Sequence, residues 1–226
     1  MIVFDRVAVD AEDGTPILRD VSLTLGGPRV AVIGANGSGK STLARCVNGL
    51  TVPTRGTVTV NGRDTRGDRR RVQRDVGFVF QDADNQIVYP TPAEDVALGL
   101  RARGVGRRDA EARARDALRR MGLADVADQA VHTLSGGEKQ LVALTGVLVL
   151  DPSWVVLDEP TAALDLANRT RVVAALDALG PSALVVSHDL EHVRTFPRAL
   201  LMAGGEVVDD GPPDEVIARY VALVGA

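Results

Sequence analysis

Residues 29–41 read Arg29-Val30-Ala31-Val32-Ile33-Gly34-Ala35-Asn36-Gly37-Ser38-Gly39-Lys40-Ser41. The apolar run predicts a short buried strand, the glycines a loop, and Lys40 to Leu50 a helix ended near Gly49. Gly34 to Ser41 has the form G-x-x-x-x-G-K-[ST], a phosphate-binding P-loop, and strand, glycine loop and helix are its required setting. Backbone N–H groups from Asn36 to Ser41 can surround phosphate oxygens, and the helix start carrying Ser41 and Thr42 adds its positive end. Lys40 neutralises the β- and γ-phosphates, where a compact ammonium fits and a planar guanidinium does not. The choice stands out, because lysine occurs at only two positions in this arginine-rich chain, Lys40 and Lys139.

Outward from this stretch the chain alternates strands and helices. Strands are expected at 2–9, 17–25, 58–60, 76–80, 154–157 and 183–186, with a hairpin at 199–208 around Gly204-Gly205. Residues 82–150 turn helical. Asp109 is expected to cap a helix whose apolar side includes Ala110, Ala114, Ala117, Leu118 and Met121, closed by Gly122. Helices are also expected from Asn168 to Leu179 and from Asp214 to Val224. The whole predicts one α/β domain over residues 1–226. Residues 1–81 and 151–226 form its core, and residues 82–150 a helical insertion.

Composition narrows the classes. The chain has 226 residues, 45% of them hydrophobic, which suffices for one sizeable core. The formal net charge of -4 does not suggest a nucleic-acid binder. The single cysteine, Cys46, has no internal disulfide partner and reads as a small apolar packing residue of a reducing compartment. No charged-then-apolar leader opens the chain, so a cleaved signal peptide is not expected. The longest uncharged apolar stretch, Leu141 to Leu150, falls short of the roughly 20 residues that span a bilayer.

Three expected buried strands end in polar residues: one in the P-loop, one in Asp158-Glu159, one in Ser187-His188. Ligands of open parallel sheets bind at the carboxyl ends of strands, so these clusters can converge on one triphosphate. The Ser41 hydroxyl can ligate Mg²⁺, with Asp158 holding the ion or its water. Glu159, one residue beyond, can polarise an attacking water, and His188 can contact the γ-phosphate. Gln81, at the end of its own strand, can reach the metal or that water through its amide. Taken alone, Asp158-Glu159 reads equally as a surface acidic pair and His188 as a structural histidine; their company at strand ends decides for chemistry. His132 and His192 read as structural.

A second sequence, Leu134-Ser135-Gly136-Gly137-Glu138-Lys139-Gln140, lies about a hundred residues beyond the P-loop. With it the chain resembles the ATP-binding-cassette ATPases over nearly its full length. The motifs stand in that family's order: the P-loop, Gln81, the signature at 134–140, Asp158-Glu159, the loop Ala162-Ala163-Leu164-Asp165, and His188. The resemblance implies the P-loop ABC ATPase fold: a mixed sheet core, an inserted helical subdomain and a small antiparallel β subdomain. It implies ATP and Mg²⁺ as ligands and a head-to-tail pair of ATPase subunits, identical or homologous. Gly34 to Thr42 would then hold the nucleotide in one subunit, while Ser135, Gly136, Gly137, Glu138 and Asp165 close over it from the other.

The segment Phe80-Gln81-Asp82-Ala83-Asp84-Asn85-Gln86, with Pro90-Thr91, Glu94-Asp95-Val96-Ala97 and Asn48-Gly49-Leu50, resembles the energy-coupling-factor branch. That likeness implies the ATPase of an importer for a vitamin or a transition-metal ion, at the cytoplasmic face of the membrane. The segment after Gln81 would touch the integral membrane subunit. The short stretch after the core is similar to the ATPases of dedicated biotin importers. An alternative is a soluble ABC ATPase acting on nucleic acid or the ribosome, but the chain has no coiled-coil insertion, zinc module or second cassette. A P-loop kinase or GTPase would have no use for the signature. Two positions depart from the family pattern: Ala11 stands where an aromatic residue usually stacks on adenine, and Leu141 where an arginine commonly follows the signature.

Overall fold

The computed structural model describes every residue except Ala163, Leu179, Pro181 and Ala226. Two sheets organise it. The strands β1 (Ile2–Asp10), β2 (Pro16–Leu25), β4 (Arg55–Val60) and β5 (Arg63–Asp64) form an antiparallel sheet in the order β2-β1-β4-β5. The larger sheet contains β3 (Arg29–Gly34), β6 (Val76–Val79), β7 (Trp154–Asp158), β8 (Ser182–Val186), β9 (Ala199–Ala203) and β10 (Glu206–Gly211). Its order is β10-β9-β3-β8-β7-β6, parallel throughout except for the β9–β10 hairpin. This is the expected mixed sheet with a separate antiparallel sheet.

The strand β3 is apolar without alternation because both its faces are buried. Ala31 and Ile33 join the core cluster under the helices α3 (Pro92–Ala102), α4 (Arg107–Arg120) and α5 (Gly136–Leu148). Val30 and Val32 face the other cluster, with Leu43 and Val47 of α1 (Lys40–Val47) and the strands of the small sheet. Each buried branched side chain contributes roughly 1.5–3 kcal/mol. The double burial fixes β3 at the centre of the sheet, with β9 and β8 as its neighbours.

Several element ends differ from the sequence expectation. The helix α1 stops at Val47, because Asn48 caps it and Gly49 turns away at φ 69°, which leaves Leu50 outside. The helix α4 begins at Arg107 behind Gly106, so Asp109 is not its cap. The carboxylate instead lies in the first turn, where the helix dipole favours it. The helix α6 (Leu166–Asp177) starts two residues before Asn168, because the Asp165 side chain accepts the Asn168 N–H and caps it. Its expected end, Leu179, lies outside the described residues. The helices α2 (Arg69–Asp75) and α7 (Leu190–Val193) were not expected. The C-terminal helix, α8, spans Pro213–Val224, close to expectation. Among the described residues no helix is long and apolar enough to cross a membrane.

Candidate active site

The P-loop joins β3 to α1 and needs glycine at two positions. At Gly34 (φ 148°) a Cβ would stand 2.2 Å from the Met202 carbonyl oxygen of neighbouring β9. At Gly39 (φ 100°), which precedes α1, it would meet Leu18 Cδ2 at 2.8 Å. The loop therefore packs tightly behind and leaves the N–H groups that open α1 without a side-chain cap. Those groups and the helix dipole favour an anion. Lys40 Nζ donates to the carbonyl oxygens of Gly34 (2.8 Å) and Ala35 (2.9 Å), which aims the ammonium across the loop. Burial pushes the Lys40 ammonium below its usual value, and the carboxylates of Glu159 and Asp158 pull it back up. Ser38 Oγ is buried without a hydrogen-bond partner among the described residues. Such a group is rare in a native fold and suits a ligand oxygen.

The acidic pair ends β7. Asp158 is 2% exposed, and its Oδ1 accepts the Ser41 hydroxyl at 2.8 Å. These are two hard oxygen donors side by side. No group of three or more His, Cys, Asp or Glu side chains converges on a point among the described residues. The donor set thus fits Mg²⁺, which takes one or two protein oxygens and completes its shell with phosphates and water. Glu159 adopts φ 51°, an unusual left-handed conformation for a residue other than glycine. Its N–H bonds to the Val186 carbonyl at 3.0 Å and its carbonyl accepts the Ala162 N–H at 3.1 Å, so the surroundings impose the conformation. Strain of this kind costs about 1–3 kcal/mol and concentrates at functional sites.

His188 follows β8. The Ser187 N–H, bonded to the Val32 carbonyl at 3.1 Å, ties this end to β3. His188 Nε2 lies 2.7 Å from Glu159 Oε1. The next residue, Asp189, caps α7 by accepting the His192 N–H at 3.1 Å and pairs with Arg169 Nε of α6 at 2.7 Å. Burial raises the Asp189 carboxyl, but Arg169 and the His192 N–H outweigh it and hold the group below the usual carboxylate value. A cleft of about 490 Å³ gathers the set: Asn36 to Thr42, Gln81, Glu159 and His188, with Ile17 at its edge.

Four residues that matter here were assigned no role from the sequence. Arg45 of α1 places Nη2 3.7 Å from Asp158 Oδ2. Arg169 steadies Asp189. Ile17 of β2 lines the cleft, whereas Ala11 lies in the β1–β2 turn, bonded to Thr15. Gln140 is 3% exposed and donates to the Phe80 carbonyl at 3.1 Å.

The signature is built otherwise. Ser135 caps α5 in a capping box: Ser135 Oγ accepts the Glu138 N–H at 3.3 Å, and Glu138 Oε2 accepts the Ser135 N–H at 2.8 Å. These Ser135 bonds hold the Glu138 carboxyl below its usual value. Among the described residues neither Ser135, Gly136, Gly137, Glu138 nor Asp165 lines the P-loop cleft. Gly136 instead lines a smaller cavity of about 260 Å³ with Asp84, Lys139, Gln140 and Leu164, and Gln81 borders both. Leu141 is 2% exposed within the helical core, so packing explains an apolar residue there. Ala163, in the loop that follows Glu159, lies outside the described residues.

A family model described as ABC transporter matches residues 18–162. The chain belongs to this family. A biotin transport ATP-binding protein, BioM of Rhizobium etli, is 48% identical over 203 residues, 90% of each chain. An energy-coupling factor transporter ATP-binding protein, EcfA1 of Enterococcus faecalis, is 39% identical over 94% of this chain and 78% of its own. The structure of CbiO1 from Clostridium perfringens, described as part of the ABC transporter complex cbiONQ, superposes with a TM-score of 0.85 at 31% identity. That match covers 98% of this chain and 94% of the other. The fold is therefore that of the family's ATPases.

Proposed function

We propose that this chain is the ATP-hydrolysing subunit of an importer of the energy-coupling-factor type, working as a pair of ATPase subunits at the cytoplasmic face of the membrane. The observation that carries the reading is the separation of the two phosphate-binding sequences. The P-loop cleft holds Lys40, Ser38 Oγ and the N–H groups of α1, yet the residues of the signature lie outside it. A second subunit, identical or homologous, supplies Ser135 to Glu138 and Asp165 across the interface. ATP then stabilises the closed pair and ADP does not, which is the differential binding that converts hydrolysis into motion.

Within one site, Lys40 and the loop amides bind the β- and γ-phosphates. Ser41, Asp158 and Gln81 would hold Mg²⁺, which neutralises developing phosphate charge when bound. Glu159 accepts the proton of the attacking water. His188, held at 2.7 Å from Glu159, orients that carboxylate and contacts the γ-phosphate.

The segment after Gln81 suits the membrane subunit. Val88 is 76% exposed, while its N–H and that of Tyr89 are fixed by Asp95 Oδ1 at 2.8 and 3.0 Å. A rigid backbone thus presents an apolar side chain outward. The same segment grips α5: Lys139 Nζ pairs with Asp84 Oδ1 at 2.7 Å, and Gln86 Nε2 donates to the Ala143 carbonyl at 3.3 Å. A push on it therefore reaches the signature helix. The solute of such an importer is a vitamin or a transition-metal ion, and the likeness to BioM favours biotin.

Purification of the chain with its associated membrane proteins tests the assignment. An integral membrane partner that raises ATP turnover supports it. A chain that purifies without any integral membrane partner, or whose turnover responds only to nucleic acid or ribosomes, refutes it.

A further inference from the structure

Residues 63–74 carry six arginines against two aspartates, in a chain of net charge -4. The rest of the molecule is therefore strongly acidic, and this stretch is a local exception. It forms β5, a turn and α2, a helix that buries only Val72. Among the described residues Arg66, Arg69, Arg70 and Arg74 are exposed and make no ion pair, while Arg63 pairs with Asp75 and Arg71 with Asp68. Four guanidinium groups thus face solvent without a counter-charge.

An apolar edge adjoins them. Leu50 and Val52 are 38% and 41% exposed. Two contacts place their loop against α2 and the turn before it: Arg66 Nη2 donates to the Pro53 carbonyl, and a Cβ at Gly49 would stand 3.2 Å from Arg69 Cγ. The helix α2 runs directly into β6, the strand that ends before Gln81.

We infer that this face binds the anionic headgroups of a lipid bilayer, with Leu50 and Val52 resting against the acyl boundary. Guanidinium groups on a short helix beside exposed aliphatic side chains are the composition of an interfacial surface. Single-stranded nucleic acid would instead call for aromatic platforms, and no Phe, Tyr or Trp stands between residues 50 and 75. The inference rests on the membrane location proposed above. Its role is orientation: it holds the ATPase flat to the membrane and presents the segment after Gln81 to the membrane subunit.

The test is co-sedimentation of the purified full chain with vesicles of phosphatidylcholine alone and with one-third phosphatidylglycerol. Binding to the anionic vesicles only, weakening as salt screens the charge, is expected. The triple variant Arg69→Gln, Arg70→Gln, Arg74→Gln should bind on the order of a hundredfold more weakly, about fivefold per arginine. Leu50→Ser with Val52→Ser should also weaken binding. Equal binding to both vesicle types, no binding, or unchanged binding by the triple variant overturns the inference. So does tighter binding to a mixed-sequence oligonucleotide that the triple variant loses in parallel. ATP turnover of the same preparations separates the two readings. Intact turnover without vesicle binding sinks only this inference, whereas a chain without ATPase activity sinks the function it rests on.

Discussion

His188 Nε2 lies 2.7 Å from Glu159 Oε1, and the two residues come from the ends of adjacent strands, β8 and β7. The contact places a hydrogen-bonding ring on the carboxylate that faces the phosphate cleft. With Glu159→Gln the acceptor proposed for the water's proton is gone while Lys40, Ser41 and Asp158 are untouched. Turnover should fall by about 10²–10⁴-fold, the usual worth of a general base. Nucleotide affinity should stay near its original value, and ATP should accumulate a closed dimer visible by size-exclusion chromatography. Normal turnover by this variant would remove Glu159 from the mechanism.

Gln140 links the signature helix to the strand that precedes Gln81. The residue is 3% exposed, and its amide donates to the Phe80 carbonyl at 3.1 Å. With Gln140→Ala that carbonyl loses its donor inside the fold. An unsatisfied buried group costs about 1–3 kcal/mol, and chemical denaturation should show a loss of that size. Gln140→Glu should be worse, because its carboxylate would face a carbonyl oxygen. Equal stability of Gln140→Ala and the parent chain would mean that water replaces the amide.

Glu138 gives stability a pH dependence of known sign. The Ser135 N–H and hydroxyl hold its carboxyl below the unfolded value of 4.5. The stabilisation is therefore fully present above that value and lost as pH falls through the folded one. Glu138→Gln keeps an acceptor for the capping box but has nothing to titrate. The stability difference between the parent chain and this variant should be level at neutral pH and shrink on acidification below about pH 5. A difference that stays constant down to acid unfolding would show that the charge contributes nothing to the cap.

The central strand and its loop were legible because both depend on local pattern. An apolar run of four residues, Val30 to Ile33, leaves β3 no exposed face, and the P-loop is dictated by where side chains cannot fit. The helix α2 was not legible: only Val72 is buried, so its arginine-rich stretch carries no helical stripe. No local pattern marked Ile17 of β2, which lines the phosphate cleft from a different strand than the P-loop. The Lys139–Asp84 pair joins residues 55 positions apart, beyond the reach of any periodicity. The Asp165 cap of α6 is by contrast local, its side chain accepting the N–H of Asn168 three residues on.

Gly77 and Val147 define how closely α5 approaches the sheet. A Cβ on Gly77 of β6 would stand 2.2 Å from Val147 Cγ1, a distance real carbon atoms do not adopt. Val147 is 9% exposed and branched at Cβ, so its side chain has little freedom to swing aside. Gly77→Ala should therefore push the helix outward and cost about 1–3 kcal/mol, the usual price of overpacking. The displaced element is the signature helix, so ATP-driven dimerisation should weaken as well as stability. Val147→Ala removes the clashing methyl and by itself opens a small cavity. In the double variant the methyl introduced by Gly77→Ala takes the space that Val147 Cγ1 vacates while the second γ-methyl is simply lost, so stability and dimerisation should both recover in part relative to Gly77→Ala. Additive losses in the double variant, measured by denaturant unfolding, would place the strain of Gly77→Ala somewhere other than this contact.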